Sequence, residues 1–352
     1  MLLQLLPTDT PESTPSIQRG SFHGAGGTLL GMQIVNVCLT IVTLGAYHFW
    51  AKAKIRRYLF SQTAFAGDRF AYHGTGKELY QGFLKATVVF GIPYFSLGAA
   101  QSFLALPQSV DFLLQAMAAL VLFLYVPVAI VNARRYRCTR TSWRGIRFSF
   151  RGRTVDFLKL YFKGWLFTLL TLGTYYPYFQ TQRQAFLHSH TYFGNQRFQF
   201  TGHGSGLMVP FAVTLFTTYA VLCLCGLALA LQLTNAGLTL LLIPFVLGPV
   251  WVWLLGQKQK YYWDHTTFGE ARFSSSITWQ KLFGLYLGNL ALLLLTLGWA
   301  WPWVTVRNAR FFIGTLSLQG LTDLDRVLQD TTETSVTGEG LSNLLDTGFD
   351  MD

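Results

Sequence analysis

Four arginines stand at matching places in four similar stretches of the chain, each directly before a phenylalanine: Arg69-Phe70, Arg147-Phe148, Arg197-Phe198 and Arg272-Phe273. Guanidinium groups suit bidentate recognition of phosphate and carboxylate. Their recurrence predicts binding of an anionic lipid headgroup or an anionic small molecule, with Arg56, Arg57, Arg134 and Arg135 as further candidates. The stretch from Arg134 to Arg153 holds eight arginines and no acid. Next to hydrophobic segments the nearest anion is a membrane surface, where each basic side chain contributes about 1 kcal/mol. Membrane lipids are therefore the expected partners, and nucleic acid is not.

Other chemistry is poorly provided for. No Gly-rich phosphate loop, His-Glu-x-x-His or Gly-x-Ser-x-Gly occurs. His188 and His190 sit one residue apart, which suits a strand face, and no third ligand lies nearby. Cys223 and Cys225 would fall on different faces of a helix; with Cys38 they read as small apolar core residues. Asp111 and Asp156 stand at segment starts, where a carboxylate favours the positive helix N-terminus. The expectation is a protein that is not an enzyme and uses no metal and no cofactor.

What must position the arginines is a membrane. Of the 352 residues 51% are hydrophobic, 16% aromatic and only 12% charged, about half the charged share of a soluble protein. Eight of the sixteen acids lie in the last thirty residues, leaving six acids against twenty-five Lys and Arg between residues 20 and 320. Seven apolar runs near spanning length fall at 28–50, 83–104, 112–131, 157–179, 208–231, 236–256 and 281–303. Trp50, Trp165, Trp251, Trp253, Trp299, Trp301 and Trp303 cluster near segment ends, as interfacial anchors do.

The chain also resembles itself. Thr43, Leu44, Gly45, Tyr47 and Trp50 return 128 positions later as Thr171, Leu172, Gly173, Tyr175 and Tyr178, and again as Thr296, Leu297, Gly298 and Trp303. Basic stretches at 52–74, 134–153, 183–203 and 258–273 each run into alternating apolar and polar residues around a turn, the pattern of a β-hairpin. The sequence thus predicts an all-α integral membrane protein of about seven segments with short β-hairpins between them. It divides into a flexible tail (1–20), repeat units of about 127 residues (21–147 and 148–273), a truncated third unit (274–320) and an acidic, disordered tail (321–352).

Two topologies fit. If all seven segments cross, each unit has three crossings and the second is inverted, a construction of secondary transporters; hairpins 183–203 and 258–273 then face outside. If the Thr-Leu-Gly segments 28–50, 157–179 and 281–303 re-enter, all four hairpins share one side. Length favours the first, and the distribution of basic residues favours the second.

The Thr43-to-Trp50 run, the Lys-x-Lys-x-Arg-Arg-Tyr stretch Lys52–Tyr58 and the Arg69-Phe70-x-Tyr72-x-Gly74 element resemble the YjgN family of bacterial inner-membrane proteins over roughly residues 20–320. The second copy departs from the pattern, with Gln182, Gln184 and Ala185 in place of Lys54, Arg56 and Arg57. The resemblance implies a polytopic protein of the bacterial inner membrane. Binding, with possible transport, of an anionic lipid headgroup or solute is the expected function, and a non-transporting scaffold or interaction protein is the alternative.

Overall fold

The computed structural model describes residues 17–103, 107–232 and 234–320. Both predicted tails fall largely outside the described residues. The described residues form five successive strand–helix–helix–strand units. The first comprises β1 (Gln18–Phe22), α1 (Gly26–Val42), α2 (His48–Ser61) and β2 (Thr63–Phe65). The second comprises β3 (Asp68–Tyr72), α3 (Gly76–Ala86) continued through a π-helical turn (Thr87–Gly91) into α4 (Ile92–Phe103), then α5 (Gln108–Thr139) and β4 (Thr141–Trp143). The third has β5 (Ile146–Phe150), α6 (Thr154–Leu170), α7 (Tyr176–Ser189) and β6 (Thr191–Phe193). The fourth has β7 (Gln196–Phe200), α8 (Met208–Ala230), α9 (Ala236–Asp264) and β8 (Thr266–Phe268). The fifth has β9 (Ala271–Ser275), α10 (Trp279–Leu295), α11 (Trp301–Gly314) and β10 (Leu316–Gln319). The sequence-drawn boundaries at 147/148 and 273/274 fall inside β5 and β9.

The ten strands close into one antiparallel barrel in chain order, with β10 sealing onto β1 through Gln18↔Leu318 and Arg19↔Ser317. Closure removes every free edge, which strands of three to five residues could not otherwise leave exposed. Alternate connections are tight turns, such as Ala66-Gly67 and Arg144-Gly145 with positive φ at both residues, the geometry that matches strand twist. The other connections are the five helical hairpins, so all the helices leave from one end of the barrel.

This arrangement corrects the all-α, seven-segment reading. The hairpin at 183–203 pairs directly with that at 134–153 through Phe148↔Phe193 and with that at 258–273 through Phe198↔Phe268. The hairpins therefore share one side, and the inverted-repeat topology is excluded. Four helices among the described residues are long and apolar enough to cross a bilayer: Gly76–Ala100, Gln108–Thr139, Gly204–Ala230 and Gly237–Asp264. The runs at 28–50, 157–179 and 281–303 instead fold back on themselves. A hydropathy window registers apolar length and is blind to a turn inside it.

The repeated Thr-Leu-Gly makes that turn. Thr171 Oγ1 donates to the Phe167 carbonyl at 2.7 Å and accepts the Tyr175 N–H at 3.0 Å, joining the end of α6 to the start of α7. Leu172 is left-handed (φ 50°), and the Gly173 N–H reaches back to the Thr168 carbonyl at 2.7 Å, a Schellman-type stop. Thr43 and Thr296 do the same for α1/α2 and α10/α11. The leucines at these tips are the most exposed apolar side chains in their hairpins, 96% for Leu44 and 90% for Leu297, as a tip inserted in lipid requires. At 1.5 Å per residue, the 17 residues of α1 reach about 25 Å, short of a full crossing with its turn.

Packing closes the helices into a ring as well. The Trp50 ring lies over Gly76, Tyr178 over Gly204 and Trp303 over Gly26, so close that a Cβ on any of these glycines would fall within 2.5 Å of a ring atom. Trp50 and Trp303, read from sequence as interfacial anchors, thus also bind their short hairpins to the next unit, as Tyr178 does. Cys38 and Cys223 prove exposed, contrary to the core reading, because an apolar helix face here meets lipid.

Candidate functional site

Alternation along the short strands turns one side of each hairpin inward. Phe65, Phe70, Trp143, Phe148, Phe193, Phe198, Phe268 and Phe273 fill the lumen with overlapping rings, for example Phe148–Phe193 at 4.8 Å and Phe198–Phe268 at 4.9 Å between centroids. The residues between them point out. Arg69, Arg147, Arg197 and Arg272 pair across their hairpins with Ala64, Ser142, Tyr192 and Thr267 in one register, and all four are exposed on the outer wall. The barrel sets them apart around its circumference and does not bring them to one point.

The helix-end arginines divide. Arg57 Nη2 donates to the Gly74 carbonyl at 3.5 Å and Arg135 Nη2 to that of Gly152 at 3.1 Å, as Arg310 does to Gly24 at 3.4 Å. Each clamps its helix to the chain leaving the neighbouring strand. Arg56 reaches the Tyr72 hydroxyl at 3.5 Å. Arg134, one residue before Arg135 and so about 100° away around α5, points instead to the helix-side mouth of the barrel.

There a cavity of about 470 Å³ opens between barrel and helices, its roof the aromatic lumen and its floor including Arg134, Arg137, His188 and the threonines that start β4, β6 and β8. Thr141, Thr191 and Thr266 each donate to the carbonyl four residues back, at 2.7 Å in every case, so their protons are committed. Arg134 Nη2 donates to Thr191 Oγ1 at 3.3 Å, while its Nε is buried without a hydrogen-bond partner. Arg183, on α7, likewise has a buried, unpartnered Nε, and its charge is felt at Lys258 and Tyr262 on α9.

His188 completes the floor. Gln184 Nε2 lies 2.7 Å from His188 Nε2, and Thr266 Oγ1 lies 3.4 Å from His188 Nδ1. Since the Thr266 proton goes to the Tyr262 carbonyl, these contacts fit a neutral ring protonated at Nδ1. Burial, and secondarily the Arg134 charge, pushes its pKa down from 6.5 to about 4. No group of three or more metal-ligating side chains occurs among the described residues, and His190 turns away to the Phe186 carbonyl.

The acids of the body are engaged elsewhere. Asp68 pairs with Arg144, Glu78 with Arg140 at 2.9 Å, and Asp264 accepts the Ser275 N–H at 2.9 Å. Asp111 and Asp156 lie in the first turns of α5 and α6, and Glu270 in the β8–β9 turn. No described carboxylate pairs with Arg134 or Arg183. Sequence reading found Arg134 but missed the lumen and Arg183. The available signal was the phenylalanine or tryptophan recurring on one face of all four hairpins.

A family described as bacterial proteins of unknown function, DUF898, matches residues 17–344. The chain belongs to that family. Among its relatives, the inner membrane protein YjgN of Escherichia coli O157:H7 is 35% identical over 130 residues, which cover 37% of this chain and 30% of the relative. YjgN of E. coli K12 and of Salmonella typhimurium LT2 are each 32% identical over 130 residues, with the same coverage. The chain thus spans under a third of the length of the curated relatives it matches. No solved structure matches it. With the four long apolar helices, these relatives place the chain as a multi-pass protein of the bacterial inner membrane.

Proposed function

We propose that this inner-membrane protein binds an anion, either a lipid headgroup or a solute, on the cytoplasmic face, with Arg134 as the residue that meets it. The observation that carries the reading is the buried Arg134 Nε, which lacks a partner at a cavity to which no described carboxylate contributes. An unpartnered buried guanidinium donor is costly, and Arg137, which lines the same cavity, adds positive charge beside it. An anion removes both penalties. The positive-inside rule supports a cytoplasmic barrel, since the basic residues gather at the barrel end while Gln232–Gly237 carries no charge.

The reading is binding without enzymatic turnover. Having all hairpins on one side leaves no oppositely facing half of the kind on which alternating access rests. The test is phosphate titration by calorimetry of protein in phosphatidylcholine nanodiscs, beside a flux assay in liposomes. Saturable binding that weakens about tenfold or more in Arg134→Gln, without anion flux, is expected. Binding unaffected by Arg134→Gln would overturn the assignment, and robust flux would replace binding with transport.

A further inference from the structure

The floor of the cavity accounts for an anion but leaves the roof unexplained. A single phosphate or carboxylate needs a small part of 470 Å³, a volume within the range of pockets that enclose whole small ligands. The roof is made of aromatic side chains whose polar groups are two indole N–H groups, that of Trp143, already donated to the Asp68 carbonyl at 3.2 Å, and that of Trp263. Leu316 and Leu318 of β10 extend the same apolar lining. A hydrated inorganic ion gains nothing from such a surface, and an apolar molecule gains nothing from Arg134. One class of ligand satisfies both ends.

We infer that the site takes an anionic amphiphile, its phosphate or carboxylate at Arg134 and its alkyl or isoprenoid body among the barrel aromatics. This rests on the anion reading above and narrows it to a substrate class. The order of groups along the axis supports the orientation. The charged floor lies at the helix side, level with the helix ends, where a headgroup in the adjoining leaflet would sit. The apolar lumen lies beyond it, away from the bilayer. The chain of the guest therefore points out of the membrane and into the barrel, exchanging lipid surroundings for the phenyl faces of β3 to β9. His188 adds a specificity element: neutral and held by Gln184 and Thr266, it leaves the charge of the floor to the guanidinium groups of Arg134 and Arg137.

The experiment uses the full chain in phosphatidylcholine nanodiscs and three probes: inorganic phosphate, hexyl phosphate and hexanol. Hexyl phosphate is expected to bind on the order of 100-fold tighter than phosphate, as burial of several methylenes implies, and hexanol not measurably. A brominated probe, 6-bromohexyl phosphate, is expected to quench tryptophan emission, with the quenching largely lost in Trp143→Phe/Trp263→Phe, whose rings line the cavity. Equal affinity for phosphate and hexyl phosphate, or quenching unchanged in the double variant, would overturn the amphiphile assignment while leaving the anion reading standing. Failure of both phosphates to bind would overturn both. Because Arg134→Gln could disturb the fold, the quenching experiment is the decisive arm. Nanodiscs containing brominated phosphatidylglycerol separate the sources: quenching there beyond that of the Trp143→Phe/Trp263→Phe variant, in which only the lipid-facing tryptophans respond, identifies a bilayer lipid as the guest, whereas variant-sensitive quenching by the free probe alone identifies a soluble amphiphile, and either result supports the assignment.

Discussion

His188 offers a quantitative test of the buried floor. The residue is 9% exposed and is faced by Arg134 from α5, Trp263 from α9, Thr266 at the start of β8, and Gln184 one turn earlier on α7. With a folded pKa of about 4 against 6.5 for the free side chain, the unfolded chain binds more protons than the folded one between those values. Stability therefore falls as pH drops from 6.5 towards 4 and is untouched by this group above 7. At pH 5 the loss attributable to His188 is about 2 kcal/mol, from 1.36 kcal/mol per pKa unit. His188→Gln removes the titration while retaining a hydrogen-bonding side chain. Thermal unfolding of the purified protein at pH 7.5 and pH 5.0 should show the wild type losing on the order of 2 to 4 °C more than the variant over this interval. Equal losses would mean that His188 is already charged or solvated in the folded protein, and the closed, cationic floor would be refuted. A bound anion beside Arg134 should reduce the wild type's acid sensitivity, because it opposes the charge that depresses the His188 pKa.

Gly164→Ala would place a Cβ 1.9 Å from Phe179 Cδ2, and Phe179 is buried with no room to move; overpacking of roughly 1–3 kcal/mol should outweigh the ~1 kcal/mol gain in helix propensity and lower the melting temperature. Thr171→Val deletes the two hydrogen bonds that reverse α6 into α7 and should cost about 1–2 kcal/mol, measured by the same melts. In a background with the four native cysteines replaced by alanine, cysteines introduced at Asn195 and Glu270 should be protected from an impermeant thiol reagent in intact cells while one at Gln232 is labelled. Labelling of Asn195 together with protection of Glu270 would contradict the shared barrel.

Hydropathy alone located the apolar segments, because burial in lipid demands about twenty apolar residues whatever they pack against. Local pattern located the hairpins too, since a two-residue turn and period-2 alternation are short-range features. It also singled out Thr-Leu-Gly, whose function as a helix reversal depends on hydrogen bonds no more than five residues apart. Closure of the barrel was beyond such reasoning: β1 and β10 are nearly the full described chain apart, and no periodicity in either strand names its partner. That closure decided which segments turn back, placed every hairpin on one side and scattered Arg69, Arg147, Arg197 and Arg272 over the outer wall. The clearest case is Arg134 and Arg135, identical in type and adjacent in sequence. Rotation of about 100° per residue around α5 sends one to the cavity and the other to the Gly152 carbonyl, and only the positions of the neighbouring units give those two directions different chemistry.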